Sequence, residues 1–468
     1  MTSSPADGPL AGSFRDPSGF LFRHAGRLLR QVNASYAQDL DLLHSSGLYD
    51  VLVAKELLIP HTEADLELAA APGAVKIIEP ELVPFISYPY EWAFSQLKDA
   101  ALATLRIQRL ALKHGMTLKD ASAYNIQFHN GRPIFIDTLS FTAYVEGEPW
   151  VAYRQFCQHF LAPLALMAYS DVRLGSLSRT NIDGVPLDLA AKLLPWRTRL
   201  QPGLFMHIHM HARSQEQHAD SHDDANSSKA KSTTVSRKSL DGIVDSLRGS
   251  VRKLQWRPGG TEWGDYYEDT NYTDSSLSEK RELVGRFLDL TESKMVWDVG
   301  ANNGYFSRVA SERGIMTIAS DIDPTAVERN WLACRRGAEP KLLPLVMDLT
   351  NPSPALGWNH HERDSFLDRG PADTVIALAL VHHLAISNNV PLPRLAQFFA
   401  NAGKHLIIEF VPKNDSQVKR LLATREDVFP DYDLDGLEAA FAPFFETKEK
   451  APIAGSERTL FLFKRRQN

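Results

Sequence analysis

The stretch that most restricts what this chain can fold into is Met295 to Phe306, M-V-W-D-V-G-A-N-N-G-Y-F. An apolar run meets an acid at Asp298, two glycines follow at Gly300 and Gly304, and helical spacing then begins. This order predicts a buried strand that turns sharply into a helix. A glycine-rich turn at the carboxyl end of a parallel strand is where doubly wound α/β proteins hold nucleotide-like ligands. Strand and helix signals keep alternating downstream, with strands predicted at 315–320, 342–347, 374–380 and 405–410. An antiparallel-looking pair, 444–448 and 459–463, ends the pattern.

The acids at the strand ends restrict the ligand. A dinucleotide calls for G-x-G-x-x-G, which brings pyrophosphate onto a helix N-terminus. Here the spacing differs, and Asp298 precedes the first glycine by two residues. A carboxylate there repels pyrophosphate and suits a cationic group. Asp321 ends the second predicted strand, placed to accept from ribose hydroxyls, and Asp348 ends the third, placed to accept from an adenine amino group. S-adenosyl-L-methionine carries an ammonium, a sulfonium and an adenosine, and would meet the three acids in turn.

On these motifs, with I-A-S-D-I-D-P, the acid after L-P-L-V-M, and A-L-A-L-V-H-H-L, the chain from about Trp263 onward resembles a class I S-adenosylmethionine-dependent methyltransferase. The resemblance implies a Rossmann-like sheet and cofactor contact by Asp298, Gly300, Asn302, Gly304, Asp321 and Asp348, with backbone near Ala379 and Leu380 under the transferring methyl. Asn302 stands where the family has its middle glycine. His382 and His383 follow the fourth strand, where one of them is a candidate base and the other reading is packing beneath the next helix. Glu409, near the end of the fifth strand, either orients an acceptor or hydrogen-bonds a loop. Tyr266, Tyr267 and Tyr272 are candidates for cation–π contact with a sulfonium, or for packing.

The upstream half reads as an α+β domain. Paired strands are predicted within 14–33, a helix interrupted by Ser-Ser-Gly over 36–54, short strands at 75–78 and 82–87, and a long amphipathic helix from Glu91 to His114 with Gly115 as its cap. After it, T-L-K-D-A-S-A-Y-N-I-Q-F-H-N-G-R-P-I-F-I-D-T-L-S-F places Asp120 and Asn125 on a loop, a hairpin around Asn130-Gly131, and Asp137 at its end. This layout is similar to the catalytic and metal-binding loops of protein-kinase-like phosphotransferases. The likeness implies Asp120 as catalytic-loop acid and a magnesium site at Asn125 and Asp137, with Lys55 as a candidate strand lysine. Leu118-Lys119-Asp120 and Asp137-Thr138-Leu139 replace the family's His-Arg-Asp and Asp-Phe-Gly, and no glycine-rich phosphate loop is evident. A phosphotransfer site and a scaffold that binds substrate both remain open.

Residues 214–238 hold almost no apolar side chains and predict a disordered linker, in which His218, His222, Asp223 and Asp224 are more readily solvated than metal-bound. His207, His209 and His211 are spaced like one face of a strand. The expected division is therefore an accessory domain over 14–212, a linker over 213–238 and a methyltransferase domain over 239–468. A formal net charge of -6 with 23% charged residues offers no basic surface for nucleic acid, and no apolar stretch approaches the roughly 20 residues needed to cross a bilayer. Two cysteines, Cys157 and Cys334, and a polar start without an apolar core predict a reducing cytoplasm. The expectation is a cytoplasmic methyltransferase acting on an O or N atom of a small-molecule or glycan-type acceptor. Two alternatives accompany it: a bifunctional protein that also transfers phosphate to a small molecule, and a non-catalytic cofactor-binding regulator.

Overall fold

The computed structural model describes residues 7–211, 234–259, 274–423 and 425–467. The chain forms two compact units, Met1–Arg257 together with Gly357–Arg363, and Pro258–Leu356 together with Asp364–Asn468. Of the linker expected over 213–238, residues 213–233 lie outside the described residues, as do the tyrosines at 266, 267 and 272 and His218, His222, Asp223 and Asp224, whereas Arg237 and Lys238 are helical.

In the first unit β1 (Gly8–Pro9), β2 (Gly19–His24), β3 (Arg27–Asn33), β4 (His61–Ala64) and β5 (Ala74–Pro80) form an antiparallel sheet in the order β1-β2-β3-β5-β4. Helices Ala37–Ser45 and Leu48–Ala54 connect β3 to β4, and Gly47 breaks them apart at φ 73°. Phe22, Leu29 and Ile77 pack in one cluster and Val32, Tyr36, Leu40, Ile78 and Leu139 in another. The long helix is Phe94–Lys113, followed by Gly115 at φ 75°. Strand β6 (Met116–Leu118) pairs with β9 (Phe141–Ala143), and between them lies the hairpin of β7 (Ile126–His129) and β8 (Arg132–Phe135). Its turn residues Asn130 and Gly131 both have positive φ, as a two-residue hairpin loop requires.

Three expectations for this unit change. The segment 82–87 is no strand, because Ser87 spends its backbone on the Gln127 side chain, donating to Oε1 at 2.9 Å and accepting from Nε2 at 2.9 Å. The histidine run is helical: Phe205–His209 is a π-helical turn that buries His207 and His209. Lys55 follows the end of a helix, so it does not sit on a strand. Helix Arg237–Lys253 also belongs to this unit, where Lys98 on the long helix donates to the carbonyls of Arg252 and Leu254. The unit boundary accordingly lies between Arg257 and Pro258 rather than at 239.

The second unit holds the strands β10 (Met295–Val299), β11 (Met316–Asp321), β12 (Leu342–Val346), β13 (Ala372–Ala377), β14 (Gly403–Phe410), β15 (Phe445–Pro452) and β16 (Thr459–Arg465). They run in the order β12-β11-β10-β13-β14-β16-β15. The five from β10 to β14 are mutually parallel, while β16 pairs antiparallel with both β14 and β15. Successive residues of β10 and β13 are buried on both faces, which is why they read as unbroken apolar runs. The chain leaves β10 toward β11 and β12, then returns to β13 on the other side of β10. Strand order therefore reverses at β10, and ligands bind at the carboxyl end of such a switch point. This is the Rossmann-like fold expected. Helix Asp274–Asp289 seals it, setting Leu283, Val284, Phe287 and Leu288 against Val296, Ile376 and Ile407.

Candidate active site

A cavity of about 360 Å³ opens at the carboxyl ends of β10, β11, β12 and β13, a volume suited to one small ligand. Asp298, Asp321 and Asp348 all line it, each at or just past the end of its strand. Asp298 is 2% exposed, and burial pushes its carboxyl up to about 7. Ser307 opposes that shift by donating to Oδ2 at 2.6 Å, while the Asp321 charge adds to it. Burial likewise raises Asp321 to about 6, against the backbone N–H groups of Asp323 and Asn302, which donate to Oδ1 at 2.9 Å and Oδ2 at 2.7 Å. Each carboxylate oxygen still has a lone pair for a ligand hydroxyl. Asp348 is held by Thr350, whose N–H and hydroxyl donate to Oδ1 at 2.8 and 2.7 Å.

The glycine turn does two separate jobs. Gly300, at φ 78°, faces the cavity opposite Leu380, whose Cδ1 lies 3.2 Å from where a Cβ would stand. Gly304, at φ 80°, does not line the cavity; a Cβ there would come within 2.4 Å of the Asn330 amide. Gly304 is therefore packed closely against Asn330. Asn302 occupies the left-handed region at φ 49°, which asparagine tolerates better than other residues with a Cβ, and its side chain turns back to accept from the Asn303 N–H at 2.8 Å. It lines the cavity without filling it.

The two histidines separate. His383 lines the cavity, and burial brings it down to about 4, so its imidazole is neutral at neutral pH. His382 is 1% exposed, is absent from the cavity wall, and is shifted well below the usual histidine range by burial. Neighbouring residues in a helical turn point about 100° apart, so only one of the pair can face the ligand. Of the two candidate bases, only His383 lines the cavity.

Sequence reasoning missed Lys280. It comes from helix Asp274–Asp289, is fully buried, and lines the cavity beside Asp298. Its Nζ donates to Glu409 Oε2 at 2.6 Å and lies 4.6 Å from the centre of the Phe306 ring. Glu409 also accepts from the Ala379 N–H at 2.8 Å and from Arg458, which in turn donates to Asp415 at 2.8 Å. Glu409 therefore holds the loop after β13, where Ala379 sits at φ 49°. A lysine in S-E-K-R-E-L carries no local mark of burial. The available signal was an acid in an apolar strand at Glu409, in need of a partner, whereas Arg458 sits in the polar turn just before β16.

In the first unit, Asp120, Asn125 and Asp137 also converge. Asn125 bonds to Asp120 and donates to Ser140 Oγ at 3.2 Å, and Ser140 donates to Asp137. Burial raises the Asp120 carboxyl above its ordinary range. Asp137, however, is already paired with Arg30 of β3 at 2.5 Å. Among the described residues no group of three or more His, Cys, Asp or Glu is arranged to hold a metal. Arg30 thus pairs with the acid to which the kinase-like resemblance would give a magnesium ion. Also among the described residues, no helix is long and apolar enough to cross a membrane.

No protein-family model matches the chain. Among solved structures, magnesium protoporphyrin IX methyltransferase from Synechocystis PCC 6803 is similar over 43% of this chain and 91% of its own, with 16% identity and a TM-score of 0.31. N-methyltransferase NodS from Bradyrhizobium japonicum WM9 matches over 42% and 98%, with 12% identity and a TM-score of 0.30. The bifunctional kinase-methyltransferase WbdD matches over 44% of this chain and 42% of its own, with 17% identity and a TM-score of 0.30. Across nearly its whole length the chain is similar to nodulation protein NoeA of Rhizobium meliloti (strain 1021), with 36% identity over 470 residues, 99% of this chain and 98% of that protein. At that identity and coverage, spanning both units, the chain belongs to the NoeA family.

Proposed function

We propose that the second unit is an S-adenosylmethionine-dependent methyltransferase acting on an O or N atom of a small-molecule or glycan-type acceptor. The observation that carries this reading is the set of three carboxylates, Asp298, Asp321 and Asp348, at adjacent parallel strand ends along one cavity. When bound, the cofactor supplies an activated methyl group on a sulfonium with a good leaving group. Asp298 takes the ammonium, Asp321 the ribose hydroxyls and Asp348 the adenine amine. The loop at Ala379 and Leu380, pinned by Glu409, sets the wall against which donor and acceptor align, and alignment is most of what an in-line displacement needs. His383 offers a neutral imidazole to take a proton from the acceptor. Titration calorimetry with S-adenosylhomocysteine tests the reading. Binding that Asp321→Ala weakens by at least tenfold supports it, and binding that is absent, or untouched by the substitution, sinks it.

Two further readings stay attached to specific observations. The convergence of Asp120, Asn125 and Asp137 favours a phosphotransfer activity in the first unit, and the Arg30 pairing weighs against it. Absence of measurable nucleotide binding in the presence of Mg²⁺ would exclude it. A regulator that binds the cofactor without turnover would show tight binding and no labelled product from methyl-labelled cofactor in a cell extract.

A further inference from the structure

We propose that Arg363 and Tyr124 form an oxyanion-binding site in the first unit, built to take a phosphate or carboxylate group of a small molecule. The proposal stands apart from the cofactor reading of the second unit. Arg363 lies in the segment Gly357–Arg363, which falls in sequence between β12 and β13 but belongs to the first unit. Its half-buried guanidinium stands 4.1 Å from the centre of the Tyr124 ring, and Nη1 donates to the Glu362 carbonyl at 2.7 Å. The other edge, Nε with Nη2, makes no hydrogen bond. Nε is buried, and among the described residues no carboxylate pairs with this cation. The Tyr124 hydroxyl is also buried without a hydrogen-bond partner, close enough to the guanidinium for that charge to oppose the rise that burial gives the phenol.

The unmatched edge is the one an arginine offers to an oxyanion, two parallel N–H groups set for two oxygens. Arg15 shows that grip in the same unit, with Nε and Nη2 on the two carboxylate oxygens of Glu362 at 3.0 and 2.7 Å. Arg363 is the next residue in the chain and has no such acceptor of its own. Its place is fixed, because Glu362 also accepts from the Trp358 N–H at 2.7 Å, and a Cβ at Gly12 would come within 2.7 Å of the Glu362 carbonyl oxygen. Tyr124 is fixed as well. It sits in the turn Ala123–Asn125, where its N–H donates to Ser122 Oγ at 3.2 Å, and its ring stands edge-on to His159 at 6.0 Å. Burial, then the nearby guanidinium, brings His159 down to about 4, so at neutral pH it adds no second charge. A guanidinium held out of water with an unmatched fork is costly, and an arriving oxyanion supplies the missing acceptors. A molecule anchored there lies against the turn that also carries Asn125.

The test titrates inorganic phosphate into the full chain, follows the broadening of its phosphorus resonance, and repeats the titration with acetate as competitor. The native protein is expected to bind phosphate in the millimolar range. Arg363→Met should weaken that binding by about tenfold or more, and Arg363→Lys, which keeps the charge but not the fork, by about threefold or more. Tyr124→Phe keeps the ring, removes only the hydroxyl, and should weaken it by roughly three- to tenfold. Arg15 still holds Glu362 in all three variants, so the segment is expected to stay in place, and unfolding followed by circular dichroism checks this. Acetate that displaces phosphate at equal concentration identifies a carboxylate as the natural ligand group, and acetate that does so only in large excess identifies a phosphate. Phosphate binding that is absent from the native protein, or equal in the native protein and in folded Arg363→Met, overturns the assignment. Should Arg363→Met fail to fold, full binding in both Arg363→Lys and Tyr124→Phe overturns it instead.

Discussion

Asp298 carries the sharpest consequence at the scale of single residues. Its folded carboxyl titrates at about 7 and that of Asp321 at about 6, both above the ordinary carboxylate value of about 3.9. The ligand-free fold therefore holds more protons than the unfolded chain between those limits, and its stability falls as pH rises through that window. A ligand ammonium reverses the preference by favouring the charged acid. The rise in melting temperature given by S-adenosylhomocysteine should thus be larger near about pH 8 than near about pH 5.5, and Asp298→Asn should flatten the difference. A pH-independent shift in the native protein would contradict this account. The histidines give a second expectation. His383→Ala should lower turnover with little change in melting temperature, whereas His382→Ala should cost stability, about 1–3 kcal/mol for a buried ring, measured by denaturant unfolding. The three acids were legible in sequence because a strand end can be read from where an apolar run stops. Which histidine faces the cavity was not, since that depends on the angle at which a helical turn meets the sheet.

At the scale of elements, the strands of the second unit and the glycine turn follow from local pattern, and the ion chain behind them does not. β10 through β14 announce themselves as apolar runs ending in polar residues, and the hairpin of β7 and β8 by Asn130-Gly131. Nothing local in helix Asp274–Asp289 says that Lys280 faces inward to Glu409, 129 positions away. The same limit explains 82–87, where one distant glutamine takes the hydrogen bonds a strand would use. Glu409→Gln leaves Lys280 facing a neutral acceptor in a dry place and weakens the hold on the Ala379 loop, while Arg458 keeps Asp415. It should cost about 3–5 kcal/mol of stability and reduce turnover more than cofactor affinity, read by chemical unfolding and by kcat beside Kd. Gly304→Ala meets both a positive φ and the Asn330 amide, and is expected to destabilise by about 1–3 kcal/mol in the same assay. A melting curve like that of the native protein would show that Asn330 yields without cost.

On the scale of the whole molecule, the two-part organisation was legible, and its boundary was not. Helix Arg237–Lys253 looks like the opening helix of the downstream domain, yet its contacts with the long helix Phe94–Lys113 assign it to the first unit. The short segment Gly357–Arg363 is harder still to foresee. It lies in sequence between β12 and β13 but belongs to the first unit, where Glu362 accepts from Arg15 at 3.0 and 2.7 Å and from the Trp358 N–H at 2.7 Å. Glu362→Ala should lower the unfolding transition of the first unit by about 1–2 kcal/mol, allowing for solvent around the exposed Arg15. Ligand-induced stabilisation of the second unit should persist in calorimetry. If the substitution lowered only the ligand-responsive transition, Glu362 would belong to the other unit.

That seven-residue loan also bears on how such a gene can change. A protein made of two consecutive modules can lose either one through a single truncation, and each can travel alone to a new neighbour. Here no single break point yields both units whole, since any cut that frees the second also takes a piece of the first with it. Inheritance of the pair as one indivisible reading frame is the expected outcome, and the relative at 36% identity does retain the chain from end to end.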